Sequence, residues 1–252
     1  MNQIMQQQKK AKTLNVLVVI PCYNEEEAIA DVVKEVMAQD IQDVKLTALV
    51  INDKSTDDSL KVLVANKINH VSLPVNLGIG GAVQTGYKFA FSNGFDIAIQ
   101  LDGDGQHRAD QLVKIISPIK EGEAEVVIGS RYLTKEGFQS STLRRFGINF
   151  FRRVIKMLTG EVVKDSTSGF RALNIDALRV VNQYYPDTYP EPEAIVLYTK
   201  HSLRIKEVPV VMRERQGGVS SITGASSVYY MFKVFMACVF AYLRPTTIID
   251  NS

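Results

Sequence analysis

NVLVVIPCYNEEEAIADVVKEVMAQ, residues 15–39, starts as an uncharged apolar run and continues with apolar residues at helical spacing. The run at 15–21 is rich in β-branched residues, which is typical of a strand buried on both faces. The same alternation recurs along the chain and predicts an α/β fold, a Rossmann-like and mainly parallel sheet flanked by helices. Further strands are predicted at 46–53, 69–74, 96–102 and 125–131, and further helices at 55–67, 80–93 and 109–122.

The composition is that of an ordinary globular protein, with 46% hydrophobic residues and a net charge of +2 over 252 residues. This balance does not favour a nucleic-acid-binding protein, which would concentrate basic residues. Cys22 and Cys238 have no metal-ligand spacing, so we interpret both as free thiols in a reducing, cytoplasmic compartment. We predict a disordered tail at 1–13, one α/β domain at 14–222 and a C-terminal helix at 223–252 for membrane or oligomer contact.

The segment IAIQLDGDGQH, residues 97–107, places two carboxylates directly after an apolar strand. Asp102 and Asp104 flank a glycine and form an oxygen-rich turn, which suits a hard cation such as Mg²⁺ or Mn²⁺. A calcium loop starting at Asp102 is excluded, because His107 replaces its glycine and Val113 replaces its glutamate. We interpret His107 as structural, with a contact to the site through its neighbours.

Two other strand ends carry polar residues, as expected where ligands bind at the carboxyl edge of an α/β sheet. In VINDKSTDDS, residues 50–59, Asp53 is placed either to accept a nucleobase N–H or to cap a helix. NLGIGGAVQTG, residues 76–86, fits neither the dinucleotide nor the triphosphate glycine pattern. Gly80 and Gly81 are instead expected to let a helix start close to a ligand.

Together these segments resemble the inverting nucleotide-sugar glycosyltransferases of family 2, which have the GT-A fold. The resemblance is strongest to the branch that acts on dolichyl and polyprenyl phosphates, and it covers roughly residues 15–222. It rests on VVIPCYNEE (18–26), VINDKSTDDS (50–59), NLGIGGAVQTGY (76–87), QLDGDGQHRAD (100–110), VIGSRY (127–132), DSTSGFRA (165–172) and VPVVMRERQGGVSSI (208–222), which occur in the family's order.

The resemblance implies three groups of site residues. Asp102, Asp104 and Gln106 would hold Mg²⁺ or Mn²⁺, and Arg213, Arg215 and Ser220 would bind an acceptor phosphate. Ser221 departs from the family, which commonly has lysine there. The nucleotide-binding residues would be Pro21, Tyr23, Asn24, Glu25, Asp53, Gly80, Asp102 and Gly103.

The catalytic candidates depend on the acceptor. A hydroxyl acceptor needs a general base, for which YPEPEAI, residues 189–195, offers Glu191 and Glu193. A lipid phosphate has a second pKa of about 6 and needs little deprotonation. Arg213 and Arg215 would then matter more than either glutamate, while Asp104 serves either acceptor.

Two apolar segments predict contact with a membrane surface. STLRRFGINFFRRVIKMLTG, residues 141–160, has a basic face with Arg145, Arg152 and Lys156. Its apolar face is predicted to carry Leu143, Phe146, Phe150, Val154 and Met157. YMFKVFMACVFAYLRP, residues 230–245, is too short for a span and fits an interfacial helix or an oligomer contact.

The predicted function is metal-dependent, inverting transfer of a hexose from a UDP- or GDP-sugar to a polyprenyl phosphate, by an enzyme peripheral on the inner membrane face. The partner that covers the apolar segments would be lipid, a second copy or a small membrane protein. Two alternatives remain open. One is a saccharide hydroxyl acceptor in cell-surface polysaccharide synthesis, and the other is a non-catalytic nucleotide-sugar-binding subunit.

Overall fold

The computed structural model of the chain describes residues 12–134, 142–186, 190–213 and 227–245. At 142–146, 148 and 227–230 it describes the backbone alone. Most of the predicted tail at 1–13 and parts of the predicted C-terminal segment at 223–252 therefore lie outside the described residues, and these boundaries stay predictions. Lys12, within the predicted tail, forms an ion pair with Asp96 at 2.6 Å.

The described residues form one seven-stranded sheet in the order β3-β2-β1-β4-β6-β5-β7. β6 is antiparallel to both β4 and β5, whereas the other neighbouring strands pair in parallel. The predicted mainly parallel α/β sheet is confirmed. The strands are β1 Leu14–Cys22, β2 Val44–Asn52, β3 His70–Ser72, β4 Ile97–Gln100, β5 Val126–Ser130, β6 Arg171–Asn174 and β7 Ile205–Pro209.

Helices cover both faces of the sheet, and the apolar sides of the strands bury against them. One buried cluster joins the sheet to α1, α2 and α4, and a second joins it to α3, α6 and α7. The helices are α1 Ile29–Met37, α2 Ser59–Ala65, α3 Gly78–Ser92, α4 Leu112–Lys120, α5 Thr142–Thr159, α6 Ile175–Gln183, α7 Pro190–Lys200 and α8 Ser227–Leu243.

A third cluster is formed where α5 and α8 pack on α7. Phe151 and Val154 of α5 meet Val196 of α7, and Val234 and Cys238 of α8 complete the contact. Within the described side chains of α5, Met157 departs from the predicted apolar face, since it is 70% exposed. The side chains of Leu143, Arg145 and Phe146 lie outside the described residues. Among the helices that the structure describes, none combines the length and apolarity required to cross a bilayer.

Candidate active site

The carboxyl ends of β1, β2 and β4 bring three predicted groups together. The Asp53 N–H donates to the Cys22 carbonyl at 2.9 Å, which joins the ends of β2 and β1. Gly103 lies so close to β1 that an added Cβ would be 2.9 Å from the Pro21 carbonyl oxygen. A residue with a side chain at 103 would therefore push the Asp102–Asp104 turn away from this edge.

The Asp102–Asp104 turn is held by one hydrogen bond within the turn and by another to the side chain of His107. The Asp102 N–H donates to Nδ1 of His107 at 3.0 Å, so this nitrogen accepts. The buried His107 ring stacks on Phe170 with centroids 5.1 Å apart. Asp104 accepts the Gln106 N–H on Oδ1 at 3.0 Å, a local bond that closes the turn. The predicted contact of His107 with the site is thus a bond to the backbone of Asp102.

The carboxylate of Asp53 binds the start of α3. Its two oxygens accept the N–H groups of Leu77 at 2.7 Å and Gly78 at 2.8 Å. Burial raises the pKa of Asp53, and these two N–H donors act against that rise. The capping interpretation is therefore observed, while the contact with a nucleobase stays a prediction. Each oxygen has a second acceptor position, so the two roles are compatible.

The predicted nucleotide-binding residues after β1 differ, because one is exposed and the others are held by hydrogen bonds. Tyr23 is half exposed. Asn24, at a φ of 58°, uses its side-chain oxygen to accept the Thr56 N–H at 2.8 Å. Glu25 is held through its own N–H, which donates to Oγ of Ser59 at 2.9 Å. Gly80 is buried in the first turn of α3.

The two glutamates of α7 face different surroundings. Glu191 is half buried and lies within electrostatic reach of Asp102, Arg171 and Arg131. Burial raises its pKa, and the two arginines oppose that rise. Glu193 is buried on another side of the helix, where its charge acts on the Cys238 thiol of α8. The geometry therefore favours Glu191 over Glu193 as a residue of the site.

An ion pair that the sequence motifs did not reveal joins the residue after β5 to the segment before β6. Arg131 donates from Nε and Nη2 to the two carboxylate oxygens of Asp165, at 2.8 and 2.7 Å. Asp165 is fully buried, and its own N–H donates to Glu207 of β7 at 2.8 Å. Arg131 lies in the segment VIGSRY and Asp165 in the segment DSTSGFRA, but nothing in the spacing of these segments indicated that the two residues pair.

The predicted acceptor-phosphate residues are only partly described. Arg215 and Ser220 lie outside the described residues, as do Gly218 and Ser221. Arg213 donates its backbone N–H to the Gln106 carbonyl at 3.0 Å, which places it beside the acidic turn. Its guanidinium donates to Glu35 of α1 at 2.8 Å. A phosphate role for Arg213 remains a prediction.

The acidic turn fits a divalent cation that takes some of its ligands from the protein and the others from a substrate. Within the described residues no group of three or more acidic, histidine or cysteine side chains is placed to hold a metal. Mg²⁺ commonly uses one or two carboxylates plus substrate phosphates, so Asp102 and Asp104 suffice as protein ligands. The absence of a side chain at Gly169 leaves room beside Asp102, because an added Cβ would lie 3.2 Å from an Asp102 carboxylate oxygen. Gln106 as a third ligand stays a prediction.

Comparison with solved structures defines the class of the fold. Glucosyl-3-phosphoglycerate synthase from Mycobacterium tuberculosis, in complex with Mn²⁺, UDP-glucose and phosphoglyceric acid, superposes with a TM-score of 0.70. The two chains are 18% identical, and the match covers 93% of this chain and 81% of that one. The same protein with Mg²⁺ and UDP gives a TM-score of 0.66. The protein thus has the fold of the GT-A glycosyltransferases.

The particular family follows from the sequence relatives. The model of glycosyl transferase family 2 matches residues 17–181, and the chain belongs to this family. It is a glycosyltransferase. UDP-N-acetylglucosamine–dolichyl-phosphate N-acetylglucosaminyltransferase of Methanococcus voltae is 31% identical, over 77% of this chain and 84% of the relative. Polyprenol monophosphomannose synthase of Mycolicibacterium smegmatis is 27% identical, over 88% and 86%.

Proposed function

We propose that this protein moves a hexose from a nucleoside-diphosphate sugar to a polyprenyl phosphate at the cytoplasmic face of a membrane. Transfer proceeds with inversion at the anomeric carbon and uses Mg²⁺ or Mn²⁺. The observation that carries the proposal is the acidic turn at Asp102 and Asp104, packed against the end of β1 and next to Asp53. The names of the relatives, which include dolichyl and polyprenol phosphate enzymes, support the lipid acceptor.

The chemistry follows from where charge develops. When the bond from the anomeric carbon to the diphosphate breaks, negative charge grows on the departing oxygen. A divalent cation at the acidic turn supplies Lewis-acid stabilisation of that charge. Asp102 and Asp104 hold the site for it, and Gly103 and His107 keep the turn in position. Asp53 and Tyr23 would orient the base at the other end of the donor.

The acceptor phosphate attacks from the face of the sugar opposite the diphosphate. Because a phosphate monoester is largely ionised at neutral pH, the reaction with this acceptor needs no strong base. Arg213, whose backbone N–H donates to the Gln106 carbonyl, is followed by Arg215 and Ser220 in the chain. These three residues are proposed to bind the acceptor phosphate.

A peripheral position on the membrane is supported by the surface of α8. Phe232, Phe240 and Leu243 are each at least 60% exposed, and Lys233 and Arg244 are exposed beside them. Exposed aromatic and aliphatic groups next to cations suit the headgroup region of an anionic bilayer. Lys200 of α7 donates to the Tyr242 carbonyl at 2.7 Å and thereby fixes the end of α8. We propose that this surface contacts lipid.

The test is a transfer assay with labelled UDP- and GDP-sugars, a polyprenyl phosphate and Mn²⁺ or Mg²⁺. Asp104→Asn is expected to lower turnover by a factor of about 100 or more, on the scale seen when a group that stabilises transition-state charge is removed. Asp110→Asn, which changes a carboxylate paired with Arg108 outside the turn, is the matched control. Full turnover of Asp104→Asn, or wild-type turnover in EDTA, contradicts the metal role.

A saccharide hydroxyl is the second acceptor that an observation favours, because Glu191 lies near Asp102 and can serve as a base. Glu191→Gln separates the two acceptors. Loss of transfer to a hydroxyl with retained transfer to a polyprenyl phosphate identifies Glu191 as the base of a hydroxyl reaction. Equal transfer to a hydroxyl by the wild type and by Glu191→Gln excludes Glu191 as the base.

A further inference from the structure

A fully buried arginine lies beneath the acidic turn. Arg171, the largest side chain with no exposed surface, is on β6 between β4 and β5 and pairs with Gln100 across the sheet. Its Nε donates to the Ser168 carbonyl at 2.7 Å and its Nη2 to the Ser166 carbonyl at 3.0 Å. Its Nη1 has no hydrogen-bond partner, and no ion pair links Arg171 to a carboxylate within the described part of the chain.

Three buried tyrosines lie within electrostatic reach of this guanidinium. They are Tyr87 of α3, Tyr185 between α6 and α7, and Tyr198 of α7. The rings of Tyr87 and Tyr185 meet edge to face, with centroids 5.4 Å apart. The hydroxyl groups of Tyr87 and Tyr185 lack hydrogen-bond partners among the described residues, whereas the Tyr198 hydroxyl lies within reach of the Arg171 guanidinium. The cation therefore sits in a closed polar cluster that supplies no countercharge.

Two carboxylates of the site are linked to Arg171, one through its cross-strand partner and one electrostatically. Gln100, the cross-strand partner of Arg171, donates its amide to Oδ1 of Asp102 at 3.3 Å. Gly169, two residues before Arg171, has its backbone against the same carboxylate. Glu191 lies within electrostatic reach of both Arg171 and Asp102, whose charges act on it in opposite directions.

Burying an arginine without a contacting carboxylate is costly, because its guanidinium stays charged at any pH that a protein tolerates. The charge must be offset over a longer distance, and in a water-poor interior such interactions are strong. The carboxylates of Asp102 and Glu191 are placed to provide that offset. When a nucleotide and an anionic acceptor bind, further negative charge gathers above the same cation.

We propose that Arg171 is a positioning residue, a permanent buried cation that offsets the charge of Asp102 and Glu191 and so lets the site accept a nucleoside diphosphate. The inference rests on the proposed function, since it assumes that a diphosphate binds at the acidic turn. It adds a residue to that site which contacts no substrate and acts through the potential that it creates there.

The test compares Arg171→Met, which removes the charge at similar volume, with Arg171→Lys, which keeps it. Two affinities are measured on the full chain: Mn²⁺ alone, from the electron paramagnetic resonance signal of the free ion, and UDP or GDP in saturating Mn²⁺, by calorimetry. Arg171→Met is expected to bind Mn²⁺ about three- to ten-fold more tightly and the nucleoside diphosphate more weakly by a similar factor. Arg171→Lys is expected to stay within about two-fold of the wild type for both ligands.

A packing defect would not strengthen the binding of Mn²⁺ while it weakens the binding of the nucleoside diphosphate. If Arg171→Met weakens both ligands together, or changes neither, the proposal is wrong. The double variant Arg171→Met with Glu191→Gln covers the case in which the single variants fold poorly, because it removes the cation together with an anion that it offsets. It is expected to recover diphosphate affinity relative to Arg171→Met, and by more than Glu191→Gln changes that affinity when Arg171 is present. An equal effect of Glu191→Gln in both backgrounds overturns the proposal.

If the wild type binds neither Mn²⁺ nor any nucleoside diphosphate, the proposed function fails and this inference falls with it. If the wild type binds both and the variants show no change of opposite sign, the inference alone is overturned.

Discussion

Gly169 shows how a single missing side chain keeps the acidic turn in place. A Cβ at this position would lie 2.7 Å from Nε2 of Gln100 and 3.2 and 3.3 Å from the two carboxylate oxygens of Asp102. Gly169→Ala is therefore expected to displace the Asp102 carboxylate. Turnover should fall by a factor of about 100, on the scale that misplacement by an ångström costs.

The control for this change is Gly147→Ala in α5, where the nearest atom to an added Cβ is Sδ of Met231 at 4.0 Å. The initial rate of sugar transfer is measured for both variants. Wild-type turnover of Gly169→Ala would show that the acidic turn tolerates the shift or does not act in transfer.

Glu191 is expected to reduce stability at neutral pH. Burial raises its pKa, so the folded protein binds this proton more tightly than the unfolded chain does. The ionised form therefore opposes folding above the raised pKa, and the cost disappears as the pH falls below it. Glu191→Gln should unfold at a higher temperature than the wild type at pH 7, and the difference should narrow at pH 5. Glu121→Gln, at an exposed position, is the control, and a difference that widens toward pH 5 contradicts the assignment.

At the scale of elements, Asp53 links the end of β2 to the start of α3. Asp53→Asn replaces one of the two acceptor oxygens by a donor, which cannot accept the second N–H. The free energy of unfolding should fall by about 1 kcal/mol, the usual value of a helix cap. Urea titration measures this loss, and Asp58→Asn, at an exposed position before α2, is the control.

The same variant tests the predicted contact with the base. If Asp53 also binds a nucleobase, Asp53→Asn weakens UDP or GDP binding under conditions in which the variant is fully folded. Unchanged affinity with lowered stability would assign Asp53 to the helix alone.

The sequence was sufficient for β1, β2 and β4, because these strands are apolar runs that end beside polar residues, with Lys45 near the start of β2 as their one charged residue. It was insufficient for β6, a four-residue strand that begins with Arg171 and reads as polar. Buried arginine in a strand contradicts the pattern on which strand prediction depends. The choice between Glu191 and Glu193 was also beyond the sequence, since it depends on how α7 lies against β6 and α8. The pairing of Arg131 with Asp165 joins segments 34 residues apart, which only the fold brings together.

At the scale of the whole molecule, the surface of α8 carries the proposed contact with a membrane. Replacing Phe232 and Phe240 by serine should reduce binding to vesicles that contain anionic lipid, because both side chains are about 60% exposed and would otherwise enter the headgroup region. Cosedimentation with the vesicles measures the effect. Val64→Ser, at an equally exposed site on α2, should bind like the wild type. Equal binding by the double variant would assign this surface to another partner.

Both thiols of the protein are buried, one at the end of β1 and the other in α8. Burial raises the pKa of Cys22 to about 11 and that of Cys238 to about 12, so neither is a thiolate at neutral pH. Alkylating reagents should therefore modify the native enzyme very slowly. Detachment of α8 alone would make Cys238 reactive while Cys22 stays protected, so mass spectrometry of the two labelled peptides would time the release of this helix separately from unfolding of the sheet.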